Sequence, residues 1–138
     1  MIMTQLYPYI FNERKNGRTI VGACVSGELH EIGIRMVCDL LEMDGFDTHY
    51  LGANMPVYDI IEYAHKKSAS AILLSVTLTT HLNTLKNMIK EIKKDERLKD
   101  VKVIVGGRPF LIDENLYKIV GADFYSVDSD DIKPHLMG

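Results

Sequence analysis

The chain has 138 residues, a size that favours one compact domain able to fold without disulfides or a structural metal. Hydrophobic residues make up 46% and charged residues 25%, which excludes a disordered chain and a coiled coil. The net charge of −3 argues against binding to a nucleic-acid backbone. No apolar run has the length of a membrane span, and the N-terminus lacks the pattern of a secretory signal, so we expect a cytoplasmic protein.

Apolar runs alternate with helical patterns from residue 19 onward. Short apolar runs predict strands at 19–25, 47–51, 71–75, 101–105 and 123–127. Helical spacing predicts helices over 32–43, from Pro56 onward, over 82–94 and from Asp113 to Val120, the last ending at Gly121. This alternation indicates right-handed crossovers between parallel strands. We therefore predict an α/β, flavodoxin-like five-stranded parallel sheet with strand order 2-1-3-4-5 and helices on both faces.

Further expectations concern side-chain packing, the cysteines and the domain boundaries. In the first helix we expect Met36, Val37, Leu40 and Leu41 to face inward. Cys24 and Cys38 lie in apolar stretches, which predicts buried free thiols in a reducing compartment. Residues 1–18 do not follow the strand–helix rhythm and are interpreted as a docking segment or linker. The domain itself is expected to span 19–132, with a tail at 133–138.

In an open parallel sheet, ligands bind beyond the carboxyl ends of the strands, where the strand order reverses. The segments after the first, third and fourth strands are therefore the place to seek a site. They lack the acidic residues of a phospho-receiver, the glycine spacing of a dinucleotide site and a Walker loop. The first segment instead carries His30, with Glu28 two residues before it. A neutral imidazole is a good metal ligand that a carboxylate often orients. The alternative is a solvated histidine at the start of a helix.

Three separated motifs in these segments resemble those of cobalamin-binding domains. They are Glu28-x-His30-x-x-Gly33, Ser75-x-Thr77 and Gly106-Gly107, in the order and at the strand ends where that family has D-x-H-x-x-G, S-x-L and G-G. The resemblance covers about Thr19 to Val127. Two positions depart from the family pattern, because Glu28 replaces an aspartate and Thr77 replaces a leucine.

The resemblance implies a corrinoid held base-off and His-on, with His30 replacing the cofactor's own base as the lower cobalt ligand and Glu28 beside it. Gly33 would leave room for the nucleotide tail at the helix start. Ser75 would donate a hydrogen bond to the displaced base. The remaining implied contacts are the close approach of backbone to the tail at Gly106 and Gly107, and hydroxyl contacts to the tail or ring amides from Thr77 and Thr79.

The resemblance leaves several uses of the cofactor open. We favour a corrinoid-binding module without catalytic groups of its own that acts as a sensor or regulatory domain, and whether the protein is an enzyme stays open. The alternatives are a methyl carrier of a corrinoid methyltransferase system, a haem sensor with a histidine ligand, and an interaction domain without a cofactor. In each corrinoid-binding case we expect another protein or domain, or a second copy of the chain, to cover the upper corrinoid face. No nucleic acid or membrane partner is expected.

Overall fold

Five parallel strands form one sheet in the order β2-β1-β3-β4-β5 in the computed structural model, which describes residues 16–25 and 32–126. The strands are β1 (Thr19–Cys24), β2 (Asp47–Tyr50), β3 (Ala71–Ser75), β4 (Lys102–Gly106) and β5 (Phe124–Ser126). The helices are α1 (Ile32–Met43), α2 (Val57–Lys66), α3 (Leu82–Lys94), α4 (Arg108–Ile112) and α5 (Leu116–Ile119), with 3₁₀ turns at Thr79–His81 and Glu96–Leu98. The predicted fold class and strand order are confirmed. The predicted segments 1–18 and 133–138 lie wholly or mostly outside the described residues.

The two faces of the sheet carry separate apolar layers. Side chains from α2 and α3, among them Ile60 and Leu85, pack on one face, which we call the α2/α3 face. Helix α1 covers the opposite face, the α1 face, through Ile34, Cys38 and Leu41. Alternation along each strand supplies both layers, because successive side chains of a strand point to opposite faces.

Helix α1 is rotated relative to the predicted inward stripe. Met36 and Leu40 are 58% and 43% exposed, so the prediction that they face inward is wrong. Leu41 is fully buried, and the inward stripe is completed by Ile34 and Cys38 at the spacing i, i+4, i+7. Methionine and leucine are compatible with either rotation of the helix about its axis, whereas the close approach of Cys38 to β1 allows only one rotation. A Cβ at Gly22 of β1 would lie 3.0 Å from the Cys38 sulfur.

Two differences from prediction lie near the end of the chain. The fourth strand includes Gly106 rather than ending before it, and the short helix α4, which the sequence did not predict, follows directly. The helix predicted from Asp113 begins later, with Asn115 as its N-cap, and the Asp113 carboxylate accepts a hydrogen bond from the Asn115 backbone at 3.0 Å. Gly121 has φ +90° just after α5, as predicted for a glycine that ends a helix.

The two thiols are free and buried, as predicted. Burial, together with the nearby Asp39 carboxylate and Cys24 thiol, raises the pKa of Cys38 to about 12. Cys38 therefore stays protonated and unreactive at neutral pH. Among the helices of the described ranges, none is both long and apolar enough to cross a membrane.

Candidate functional site

A row of small residues crosses the α1 face at the carboxyl ends of four strands. Parallel register places Cys24 of β1 beside Ser75 of β3, Ser75 beside Gly106 of β4, and Gly106 beside Ser126 of β5. The row spans the gap between β1 and β3, which is the point where the strand order reverses. This is the place where open α/β sheets bind their ligands. We call these four residues the small-residue row.

The same strand ends carry large apolar side chains on the α2/α3 face. Leu74, Val76 and Val105 are fully buried there. Each is adjacent in sequence to a member of the small-residue row. The difference in side-chain size between the two faces therefore follows from the alternation of side chains along each strand. On the α2/α3 face these strand ends carry large buried side chains, whereas on the other face they carry small ones.

Ser75 sits at the centre of the row with its backbone tied to both neighbouring strands. Its carbonyl accepts a hydrogen bond from Val25 at 2.9 Å, and the next amide, Val76 N–H, donates to the Gly106 carbonyl at 3.0 Å. The side chain is half-buried, and its hydroxyl makes no hydrogen bond to any described residue. The hydroxyl is therefore rigidly placed and has its hydrogen-bonding capacity available for a ligand.

Gly106 provides the clearest sign of space beside the row. A Cβ at this position would lie 3.3 Å from the Ser126 carbonyl oxygen and would meet no other heavy atom of the described residues within 4 Å. A side chain here would thus project into space that protein atoms of the described ranges do not fill. This agrees with the expectation that glycine allows backbone to approach a ligand.

Gly107 is glycine for a different reason. Its backbone adopts φ +117° and ψ 174°, a region that only glycine occupies without strain. A Cβ there would lie 1.8 Å from the Val76 carbonyl oxygen. Glycine is therefore required at 107 by the close packing of the β3 and β4 ends. The approach of Gly107 to a cofactor tail stays a prediction.

The remaining predicted site residues are distributed around this edge. Thr77 is half-buried in the loop after β3, whereas Thr79 is exposed at the start of the 3₁₀ turn. Thr79 makes no hydrogen bond to the small-residue row within the described part of the chain. Gly33 lies in the first turn of α1. Glu28 and His30 lie outside the described residues.

Sequence reasoning did not include two members of the row, Cys24 and Ser126. The Cys24 sulfur accepts a hydrogen bond from the Tyr50 hydroxyl, 3.5 Å away on the other side of β1. The signal for both was available, because each is a small residue at or near the end of a predicted strand. To identify these residues as neighbours of Ser75 and Gly106 one needs the strand register, which the sequence does not give directly.

Two other histidines have contacts within the protein. On β2, the His49 Nδ1 lies 2.8 Å from the Tyr63 hydroxyl of α2, and its Nε2 lies 3.1 Å from the Asp47 carboxylate. His65 is exposed on α2. In residues 16–25 and 32–126, no group of three or more His, Cys, Asp or Glu side chains is placed to hold a metal ion.

Comparison with known proteins gives a consistent result. The B12 binding domain family model matches residues 18–132. Dimethylamine corrinoid protein 3 of Methanosarcina acetivorans is 34% identical over 119 residues, which are 86% of this chain and 54% of that protein. The chain thus spans about half the length of the curated relatives it matches.

Two solved structures extend the comparison to the fold. A cobalamin-binding protein from Desulfitobacterium hafniense superposes with a TM-score of 0.79 and 31% identity, over 99% of this chain and 65% of that one. The Methanosarcina barkeri monomethylamine corrinoid protein gives 0.77 and 25%, over 98% and 64%. The predicted resemblance and the predicted cofactor are confirmed, and the relatives favour the methyl-carrier alternative over the sensor interpretation. The chain belongs to the B12 binding domain family.

Proposed function

We propose that this chain is the corrinoid-binding domain of a methyl-carrier protein. In this role it holds cobalamin base-off and His-on and presents the cobalt to methyltransferase partners. Cobalamin, when bound, supplies a cobalt centre that accepts a methyl group from one partner and gives it to another. The role proposed for this protein is that of a binding protein. Its part is to bind the cofactor, fix its orientation and keep the lower face occupied.

The small-residue row is the observation that carries the cofactor part of the proposal. A nucleotide tail that leaves the lower face of a corrinoid needs a slot beside the sheet, and side chains larger than serine would fill it. Ser75 offers, at the centre of the row, a hydroxyl that makes no hydrogen bond to the described residues, and Gly106 adjoins space that those residues do not fill. On the α2/α3 face of the same strands, by contrast, Leu74 and Val105 are fully buried. The residues present therefore fit the group.

The roles of individual residues follow the family motif. His30 would bind cobalt from below, and the Glu28 carboxylate would orient its imidazole. Ser75 would hydrogen-bond the displaced base, while Gly33, Gly106 and Gly107 would leave the tail its path. Thr77 and Thr79 would contact the tail or the ring amides from the loop after β3.

The relatives support the carrier role over regulation. The matched proteins are described as dimethylamine and monomethylamine corrinoid proteins. This chain covers about half of such relatives. From the family resemblance we further infer that another domain or a partner protein covers the upper corrinoid face. A haem-binding role and a cofactor-free role have no comparable support.

Cofactor binding is tested by titrating the apo-protein with hydroxocobalamin, with wild type beside His30→Ala. We expect the wild type to retain the corrinoid through gel filtration with a shifted absorbance spectrum, and the variant to lose that shift. Two colourless proteins would contradict the proposal. The same titration with haemin would then separate a haem-binding protein from one that binds no tetrapyrrole.

The carrier role is tested on the cofactor-loaded protein. After reduction of the cobalt, the protein is mixed with a methylamine methyltransferase and its substrate, and methylation is followed by absorbance. Methylation that requires both the methyltransferase and bound corrinoid supports a carrier. Tight corrinoid binding without methylation by methylamine, methanol or other C1 methyltransferases would favour a regulatory module instead.

A further inference from the structure

A basic groove runs between helix α3 and the segment that follows α5. It has a volume of about 500 Å³, and lysine and asparagine side chains line its α3 wall. The opposite wall contains Ile119, Val120 and Gly121, and Ile119 is 61% exposed. We call this feature the α3 groove. It lies on the α2/α3 face of the molecule, away from the small-residue row.

Two of the groove lysines have no acidic partner. Lys93 pairs with the Asp123 carboxylate, whereas Lys86 and Lys90 make no ion pair with any described residue. The two lysines are four residues apart and therefore lie on one side of the helix. Asn83 and Asn87 add side-chain amides along the same wall. The groove thus offers two uncompensated positive charges, neutral hydrogen-bonding groups and one exposed aliphatic side chain.

The charge of the groove is opposite to that of the chain. Helix α3 carries four lysines and one glutamate, and that glutamate, Glu91, pairs with Lys94, which does not line the groove. The whole chain has a net charge of −3. A concentrated positive strip on an acidic protein attracts an acidic ligand while the rest of the surface repels it. Two unpaired lysines match a few carboxylates better than the dense charge of a nucleic-acid backbone, and the exposed Ile119 matches an aliphatic side chain, so an acidic protein segment fits this lining best.

We propose that the α3 groove binds an acidic amphipathic helix of a partner protein. Carboxylates at i and i+4 on such a helix would match the spacing of Lys86 and Lys90 along α3, and an aliphatic residue between them would contact Ile119. The first turn of α3 follows the loop after β3, so the groove begins close to the edge that holds the proposed cofactor site. A partner that reaches this edge can therefore occupy the groove at the same time.

The test uses the 138-residue chain without cofactor and a fluorescein-labelled amphipathic peptide with glutamates at that spacing and a leucine between them. Fluorescence anisotropy should detect binding that weakens as salt is raised. The double variant Lys86→Glu/Lys90→Glu should bind about tenfold more weakly, because two attractions become repulsions. Ile119→Ser should also weaken binding, by a smaller factor. A peptide with lysines in place of the glutamates should regain affinity for the double variant.

The matched control is Lys66→Glu/Lys99→Glu, which makes the same change in net charge at exposed positions outside the groove. It should bind the peptide like the wild type. Equal weakening in both double variants, no binding to the wild type, or preferential binding of a DNA duplex would each overturn the proposal. Urea unfolding of every variant verifies that it is folded. Because cobalamin is absent from the assay, its result is independent of the proposed methyl-carrier function.

Discussion

The two faces of the sheet differ most where the strands end. On the α2/α3 face, β3 and β4 finish with Leu74, Val76 and Val105, all fully buried beneath helices. On the α1 face, the adjacent residues in sequence are Ser75 and Gly106. Both sets of residues lie at the carboxyl ends of the same strands, but the first set is fully buried and the second is partly exposed. Only the alternation of side chains separates the two environments.

This difference separates residues that stabilise the fold from residues that make room. Large branched side chains on one face supply buried apolar area, worth about 25 cal/mol for each Å² removed from water. Small side chains on the other face contribute little of that energy. At Ser75 and Gly106, which are only partly buried, the small side chains agree with the proposed cofactor slot, whereas Cys24 packs in the apolar layer beneath helix α1. Substitutions on the two faces should accordingly change different observables.

The largest loss of stability is expected at Gly107. Gly107→Ala places a Cβ 1.8 Å from the Val76 carbonyl oxygen and forces an L residue to a positive φ. Together these should lower the free energy of unfolding by about 4 kcal/mol or prevent folding. Urea unfolding measures the change. Gly121→Ala is the control, because its Cβ would make an ordinary 3.5 Å contact with Ile89 and only the φ strain, about 1 kcal/mol, remains. Equal losses of unfolding free energy in Gly107→Ala and Gly121→Ala would contradict the predicted clash.

The next largest effect is expected from the packed face. Leu74→Ala removes a fully buried side chain and should lower the free energy of unfolding by about 3 kcal/mol. Affinity for cobalamin, measured under conditions where the variant is folded, should change little. A large loss of affinity at unchanged stability would mean that the α2/α3 face, and not the small-residue row, borders the cofactor.

The next effect in size is the pH dependence of the free energy of unfolding that Cys38 causes. Its pKa is raised from the ordinary value of 9.0 to about 12 in the folded protein, so the unfolded chain loses this proton first. The stabilising contribution is complete below pH 9 and is lost as the pH rises toward 12, by about 1 kcal/mol per pH unit. Cys38→Ala should be less stable at pH 7 but show a shallower decline above pH 9. Parallel pH profiles for the two proteins would contradict this linkage.

At Gly106 we expect a small change in stability with a large change in binding. Gly106→Ala should alter the free energy of unfolding by less than about 1 kcal/mol, since among the described residues its Cβ meets only the Ser126 carbonyl oxygen, at 3.3 Å. Cobalamin affinity should fall about tenfold, equivalent to about 1.4 kcal/mol. Ser75→Ala, which removes the hydroxyl without filling the slot, should weaken binding less. Unchanged affinity in Gly106→Ala would argue that the tail lies elsewhere.

The smallest effect is expected on the outer side of α1. Met36→Gln should change the free energy of unfolding by less than about 0.5 kcal/mol, because this side chain is 58% exposed. Leu41→Ala on the same helix should cost about 3 kcal/mol. Chemical denaturation of both variants checks the rotation of α1, and a large cost at Met36 would show that the helix faces the sheet as the sequence predicted.

The strand order and the motif positions were predictable because buried parallel strands leave continuous apolar runs separated by helices. The rotation of α1 was not, since methionine and leucine at 36 and 40 satisfy a helical spacing as well as Ile34 and Cys38 do. Helix α4 was missed because Gly107, Arg108 and Pro109 together have the composition of a turn. Buried Pro109 in its first turn was the signal that a short helix begins there.

The sequence predicts two neighbouring residues of the small-residue row but not the physical reasons for them. Ser75 and Gly106 were identified from motifs, and the register then showed that they are neighbours. The reason for glycine at 107 depends on the distance between two strand ends, which no sequence pattern records. Cys24 and Ser126 joined the small-residue row only through the register, since neither belongs to a motif.

The central claim is that a histidine of this protein replaces the cofactor's own base on cobalt, and electron paramagnetic resonance of the reduced cobalt(II) form tests it most directly. Protein labelled with ¹⁵N-histidine is loaded with unlabelled cobalamin. Nitrogen-14 on the axis splits each cobalt line into a triplet, and nitrogen-15 splits it into a doublet. We predict doublets, and their loss in His30→Ala. Triplets that persist in the labelled protein would mean that the cofactor keeps its own base, and would contradict the account.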